Sequence, residues 1–242
     1  MPIDYVEHLR REGAATVAAA RRGPLTASVT SCPGWDLGEL VRHVAGIHRW
    51  ATLIATTGQR PDERPQTPDG DAAVDFLAAG IEPLAAALAA LDPEAPCWNF
   101  TGANQTGSFW PRRQAHETAI HRWDAESSIG TQAPIDATLA ADGIDELLTM
   151  FQPARAKRAT APILPGSLHV HCTDVPGEWT IHPDGNGLSV TRQHGKGDAA
   201  LRGPASTLLL ALWHRLPMAD NNDVECFGDR AVLDAWAAFG SP

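Results

Sequence analysis

Along this 242-residue chain, apolar positions recur at helical spacing as far as Phe151 and alternate with polar ones from Ser167 onward, the periods of helices and strands respectively. Ile3, Val6, Leu9 and Val17, set among alanines, predict a helix over about 3–22, ended by Gly23-Pro24. A turn at Cys32-Pro33-Gly34-Trp35, followed by Asp36 as a cap and Glu39 three residues on, predicts a second helix from Leu37 to about Ala55. Gly58 to Asp71 is polar, carries three prolines and reads as a long exposed loop. Ala72 to Leu91 is expected to be a third helix, with Phe76, Leu77, Ile81, Leu84, Leu88 and Leu91 as its apolar side and a kink at Pro83. After a loop over Asp92–Ser108, a fourth helix should run from near Trp110 to about Ser128, with Pro111 at its first position. A fifth, Ala137 to Phe151, shows Ile144, Leu147, Leu148 and Phe151 on one side.

Alternating segments follow at Ser167–Asp174, Glu178–His182, Gly187–Gln193 and Ala199–Arg202, with Asp184-Gly185-Asn186-Gly187 as a hairpin turn. Helices over Ala205–Arg215 and Asp229–Phe239 close the chain, and Asp223–Arg230 reads as a loop into the last of them. The expected fold class is therefore α+β in two domains. A four-helix bundle occupies 1–153, a proline-containing linker 154–165, and a small α+β domain with an antiparallel sheet and two helices 166–242.

Composition narrows the function. Nineteen Lys plus Arg against 29 Asp plus Glu give a net charge of −10, which argues against a general nucleic-acid footprint while leaving room for a small anionic ligand on local arginines. Seventeen of the cations are Arg, a bias expected of a GC-rich genome. Cys32, Cys97, Cys172 and Cys226 form no CxxC pair, so reduced thiols are expected. The charged N-terminus and the lack of a long uninterrupted apolar run predict a cytoplasmic protein without a membrane partner. Ten histidines form no tract, so any metal site must be assembled by folding.

The densest chemistry is the run Trp110–Ser127, WPRRQAHETAIHRWDAES. His116 and His121 lie about 140° apart around a helix and cannot easily share an ion. Glu117 and His121, at i and i+4, share a face, and Asp124 continues it. On spacing alone the Glu117/His121 pair serves as well for a solvated helix face as for two ligands. On the second helix, His43 falls in a stripe with Leu40, Ile47 and Trp50, where an imidazole needs a partner. Combined, His43, Glu117 and His121 form a candidate three-ligand site with open coordination positions, the arrangement of a catalytic zinc. Such an ion could activate either water or a thiol.

Pro33-Gly34-Trp35-x4-Leu40-Val41-x-His43-Val44, His48-Arg49-Trp50 and Arg113-x-x-His116-Glu117-x3-His121-Arg122-x-Asp124-Ala125-Glu126 resemble the mycothiol-dependent maleylpyruvate isomerase family. His169-x-His171-x-x-Asp174-x-Pro176-Gly177-Glu178-Trp179 and Arg202-Gly203-Pro204-Ala205 resemble its smaller domain. The resemblance implies a DinB-like bundle, a divalent metal, usually Zn2+, on His43, Glu117 and His121, and mycothiol as thiol cosubstrate. It also implies a thiolate that adds to a conjugated cis double bond, permits rotation and leaves, or that performs S-transfer in related members. Mycothiol belongs to high-GC actinobacteria, in line with the Arg bias.

Other residues carry secondary expectations. Arg113 and Arg122, with Arg42, Arg49 and Arg112 nearby, could clamp a substrate carboxylate, and Asp124 could orient His121. Trp50 and Arg49 are candidates for contact with the thiol cofactor, although Trp35, Trp50, Trp110 and Trp123 also suit a bundle core. His48 is assigned to packing or to support of the site. His169 and His171 share one side of a strand and could in principle bind metal, but without a third ligand near in sequence a surface or interdomain role is favoured. The alternatives to the thiol-dependent enzyme are a zinc-hydroxide hydrolase on the same scaffold and a non-catalytic DinB-like metal-binding or stress-response protein.

Overall fold

Capping chemistry starts the first two helices. In the computed structural model, which describes residues 2–158, 162–185, 187–219 and 221–239, α1 (Tyr5–Arg22) begins at Asp4, whose carboxylate accepts from Glu7 N at 3.0 Å. For α2 (Leu37–Thr57) the expected box is complete: Glu39 N donates to Asp36 Oδ1 at 2.8 Å and Asp36 N to Glu39 Oε2 at 3.0 Å. Gly34, at φ +86, makes the preceding turn, with Trp35 N donating to Cys32 O at 2.9 Å. Gly58 closes α2 in the left-handed conformation.

The third helix, α3 (Asp71–Ala90), runs through Pro83. The ring is exposed, so the carbonyl it leaves unbonded can face solvent. By length and apolarity this helix could pass for a membrane span, yet Ala73, Val74, Leu77, Leu84, Ala85 and Leu88 are buried within the bundle. The fourth helix, α4 (Phe109–Ser127), places Pro111 third rather than first, still within the turn whose N–H groups lack helical acceptors.

These four helices form one compact unit, Met1–Ala133. Each packs chiefly on two others, α1 and α2 both lying against α3 and α4. One apolar cluster joins Val17, Leu40, Val41, Val44, Val74, Leu77 and Ala125, and a second joins Leu9, Trp50, Ile54, Leu84, Leu88 and Trp110. The α2–α4 contact positions the candidate site.

The other compact unit is Pro134–Pro242. The fifth helix therefore does not belong with the bundle, and the division lies before it rather than in the 154–165 stretch. Helix α5 (Ala137–Glu146) continues through a π-helical turn at Leu147–Phe151 into the short α6 (Gln152–Ala156), and α5 packs on α7 (Ala205–Leu212). Trp179 Nε1 donates to Asp145 Oδ1 at 3.0 Å, tying α5 to the sheet as well.

The five strands are β1 (Leu168–Cys172), β2 (Glu178–Pro183), β3 (Leu188–Thr191), β4 (Ala199–Gly203) and β5 (Glu225–Gly228), in the order β3-β2-β1-β4-β5. Residues 159–161 of the expected linker and Asn186 of the expected turn lie outside the described residues. The sheet is mixed, not antiparallel, because β4 joins the free edge of β1 in parallel, with Leu168 opposite Ala199 and Cys172 opposite Gly203. To reach that edge the 192–198 connection must pass β2 and β1. The expected loop at Asp223–Arg230 contains β5, whose four residues are all exposed and so show no apolar alternation. Leu168, Val170, Trp179, Ile181, Ala199 and Leu201 make the buried face of the sheet, on which α7 and α8 (Arg230–Phe239) pack.

Candidate metal centre

Helical spacing puts Glu117, His121 and Asp124 on one side of α4, and the packing of α2 brings His43 to them. His43 Nε2 is 3.2 Å and His121 Nε2 3.4 Å from Glu117 Oε1, and the two imidazole centroids are 5.0 Å apart. One ligand atom from each of the three residues lies within 4.8 Å of the others. Two imidazole nitrogens and a carboxylate oxygen are a suitable donor set for a borderline divalent ion such as Zn2+.

Both candidate ligands on α4 have a backing partner. Asp124, fully buried, takes His121 Nδ1 at 3.0 Å and itself accepts from Ser31 Oγ at 2.6 Å, with Cys32 Sγ 3.8 Å from its other oxygen. Arg113 Nη2 donates to Glu117 Oε2 at 3.0 Å, which leaves Oε1 to face the histidines. These contacts fix the ring and carboxylate orientations that a metal would need.

Burial alone would lower the His121 pKa, but the hydrogen bonds to Asp124 and Glu117 and the charges of both carboxylates outweigh it and raise it to about 9. Burial would likewise raise Glu117, yet His121, His43 and Arg113 hold it well below its ordinary value. Without a metal the cluster is thus an ion pair, and an entering cation must displace the proton on His121.

The expected α2 stripe is buried at Leu40 and Trp50 but only half-buried at His43 and Ile47. The residues buried on α2 include Leu40, Val41, Val44, His48, Ala51 and Ile54, whereas His43 stands at the rim with 28% of its side chain exposed, its ring 5.0 Å from that of Trp35. The completely buried histidine is His48. Its Nε2 lies 2.9 Å from Thr118 Oγ1, and because that hydroxyl donates to Gln114 O at 2.7 Å, His48 must be the donor and carry its proton on Nε2. Burial lowers its pKa to about 4, so the ring is neutral.

Other expected site residues lie elsewhere. Arg122 is buried and turned toward α1, its Nε donating to Glu12 Oε2 at 2.6 Å and its Nη1 to Glu126 Oε2 at 2.8 Å, so it does not present a substrate clamp. One step along α4 from His121 turns the side chain about 100° away. Arg49 is committed to α3, donating to Phe76 O at 3.0 Å and lying over the Phe76 ring. Trp50 packs edge-on against Trp98 and Trp110 in the bundle core, away from His43. Arg42 pairs with Asp69 at 2.8 Å. His116 lies against Tyr5, consistent with its separation from the ligand face. Ser31 and Cys32 were not picked out as neighbours of the site, since only tertiary folding carries their turn to Asp124.

A family model described as the mycothiol maleylpyruvate isomerase N-terminal domain matches residues 6–126, and the model for the C-terminal domain of the same family matches residues 138–235. The chain belongs to the mycothiol maleylpyruvate isomerase family. The two matched segments fall within the two compact units of the structure. Among solved structures, a mycothiol-dependent maleylpyruvate isomerase superposes with a TM-score of 0.59 at 13% identity, covering 93% of each chain. A His-to-Ala variant of a mycothiol-dependent maleylpyruvate isomerase gives 0.63 at 12% identity, again over 93% of each chain. At such identities these likenesses establish the shared two-domain fold. No curated relative matches the chain. Within the isomerase family fold, the observed cluster of His43, Glu117 and His121 sits on helices of the N-terminal domain.

Proposed function

We propose that this protein is a metal-dependent, mycothiol-dependent enzyme that attacks an electrophilic small molecule through the thiol, by cis–trans isomerisation of a maleylpyruvate-type substrate or by S-transfer. The observation that supports the reading is the convergence of two imidazoles and one carboxylate at a half-exposed position, in a chain of this family. His43 Nε2, Glu117 Oε1 and His121 Nε2 would hold the ion, with Zn2+ favoured by the donor set. When bound, such an ion supplies Lewis acidity, holding a thiol as its thiolate near neutral pH.

The rest is the work of the chain. Asp124 keeps the proton of His121 on Nδ1, freeing Nε2 to ligate. Arg113 occupies the second oxygen of Glu117 and offsets its charge. His43 at the rim leaves the mouth of the cluster open to a thiol. In the isomerisation, the thiolate adds to a conjugated cis double bond, the resulting single bond rotates, and expulsion of the thiolate restores the double bond as trans. Mycothiol points to the cytoplasm of a high-GC actinobacterium, in keeping with the Arg-rich, Lys-poor composition. The net charge of −10 speaks for small-molecule rather than nucleic-acid partners.

Metal counting on gently purified protein, together with a mycothiol-dependent assay on maleylpyruvate, tests this. His43→Ala and Glu117→Gln should each lose about one equivalent of metal and all thiol-dependent turnover, while His116→Ala keeps the metal. If His43→Ala holds as much metal as the parent, the reading is wrong.

A further inference from the structure

The second unit brings together residues far apart in sequence on the sheet face opposite α7 and α8. His169 and His171 alternate on β1, and the antiparallel register sets Glu178 of β2 opposite His171 and Thr180 opposite His169. Their side chains therefore share a face, whereas Leu168 and Val170 point to the buried one. The 192–198 connection crosses this same face on its way from β3 to β4. Gly195 and Gly197 make the close passage possible: a Cβ on Gly195 would stand 2.6 Å from Thr180 Oγ1, and one on Gly197 2.8 Å from His169 N. Asp198 anchors the far end, accepting from Ser167 N at 2.8 Å and Oγ at 2.7 Å.

The crossing delivers His194. Glu178 Oε1 lies 3.0 Å from His169 Nε2, 2.7 Å from His194 Nδ1 and 3.6 Å from His171 Nδ1. Ligand atoms of His169, Glu178 and His194 all fall within 4.8 Å of one another. Ligands on one tetrahedral ion at about 2.1 Å stand about 3.4 Å apart, so the two shorter separations need open by only a few tenths of an ångström to admit an ion. The cluster is graded from inside to outside: His169 is 10% exposed, Glu178 24%, His171 39% and His194 84%. An ion would have both a buried anchor and an open path from solvent. Beside His169, the buried Thr180 hydroxyl has no hydrogen-bond partner among the described residues.

We propose that His169, Glu178 and His194 form a second divalent transition-metal site, with His171 beside it. The donors are imidazole nitrogen and carboxylate oxygen without thiolate, which suits Zn2+ or Ni2+ better than the hard ions Mg2+ and Ca2+. Binding joins β1, β2 and the crossing connection through one centre, so the ion stabilises this unit. The inference is independent of the centre on α2 and α4.

The test uses full-length protein, stripped of metal, dialysed against micromolar free Zn2+ and counted by elemental analysis. In the His43→Ala background about one equivalent remains bound, and adding His194→Ala removes it. Since His194 is the most exposed member, its replacement leaves folding intact. Glu178→Gln should lose the same equivalent, whereas His182→Ala, an exposed histidine further along β2, should keep it. Zn2+ should raise the Tm of His43→Ala and leave that of His43→Ala/His194→Ala unchanged. Equal Zn2+ content with and without His194 overturns the proposal, whatever the first centre holds.

Discussion

His43 and His48 lie on one helix and meet opposite environments. His43 stands at the rim facing Glu117, and His48 is sealed beneath it against Thr118. Burial lowers the His48 pKa to about 4, below the ordinary value of 6.5. As pH falls, the unfolded chain therefore takes up the proton before the folded one. The stability that neutral His48 contributes is complete above about 6.5 and is lost progressively toward about 4, amounting to about 3 kcal/mol. His121 has the opposite sign: raised to about 9, its contribution is complete below 6.5 and disappears as pH rises through 9, so the two windows do not overlap. Urea unfolding of metal-free protein from neutral pH down to about 4 should show the acid-side loss, and His48→Gln should remove most of it. An unchanged slope in that variant counts against the assignment. The assignment of His48 to packing agrees with its burial, whereas His43 lies at the rim of the inward stripe rather than within it. The meeting of Glu117 and His121 on one side of α4 was legible because i, i+4 spacing needs no tertiary information. Ser31 was not, because its link to Asp124 spans two elements.

At the scale of the element, α4 departs from the usual amphipathic design. Arg113, Gln114, His116, Thr118, His121, Arg122, Asp124 and Glu126 are all buried, so the helix carries polar groups on several inward sides. Apolar periodicity is uninformative there, and pair geometry carries the information instead. One side holds the candidate metal ligands Glu117 and His121. Another holds Arg122 between Glu12 of α1 and Glu126 of its own helix. Arg122→Met leaves Glu126 buried without its cation and Glu12 with Arg11 alone, and should cost about 3 kcal/mol in urea unfolding. Because Arg122 directs its guanidinium to Glu12, Glu126 and Ala133 O, metal content per folded molecule should stay at the parental level. A loss of metal without loss of stability would restore Arg122 to the site.

For the whole molecule, the boundary was the least legible feature. Prolines and polar residues after Pro153 look like a linker, while Ala133-Pro134 is inconspicuous. The apolar side of α5 announces a buried face without saying whether helices or a sheet will cover it, and here α7 and Trp179 take that place. A fragment ending at Ala133 contains both apolar clusters and all three candidate ligands His43, Glu117 and His121. It should fold on its own and bind about one equivalent of metal. A cooperative melt by circular dichroism and a metal count check this; a fragment that stays unfolded refutes independence.

Strand length in the second unit bears on solubility. The sheet ends in β3 and β5, each only four residues long, and beside β5 the Arg202–Glu225 pair at 2.9 Å places two charges at the margin. Edges this short offer another chain few free backbone groups to pair with. The mixed sheet therefore gives little template for edge-to-edge aggregation.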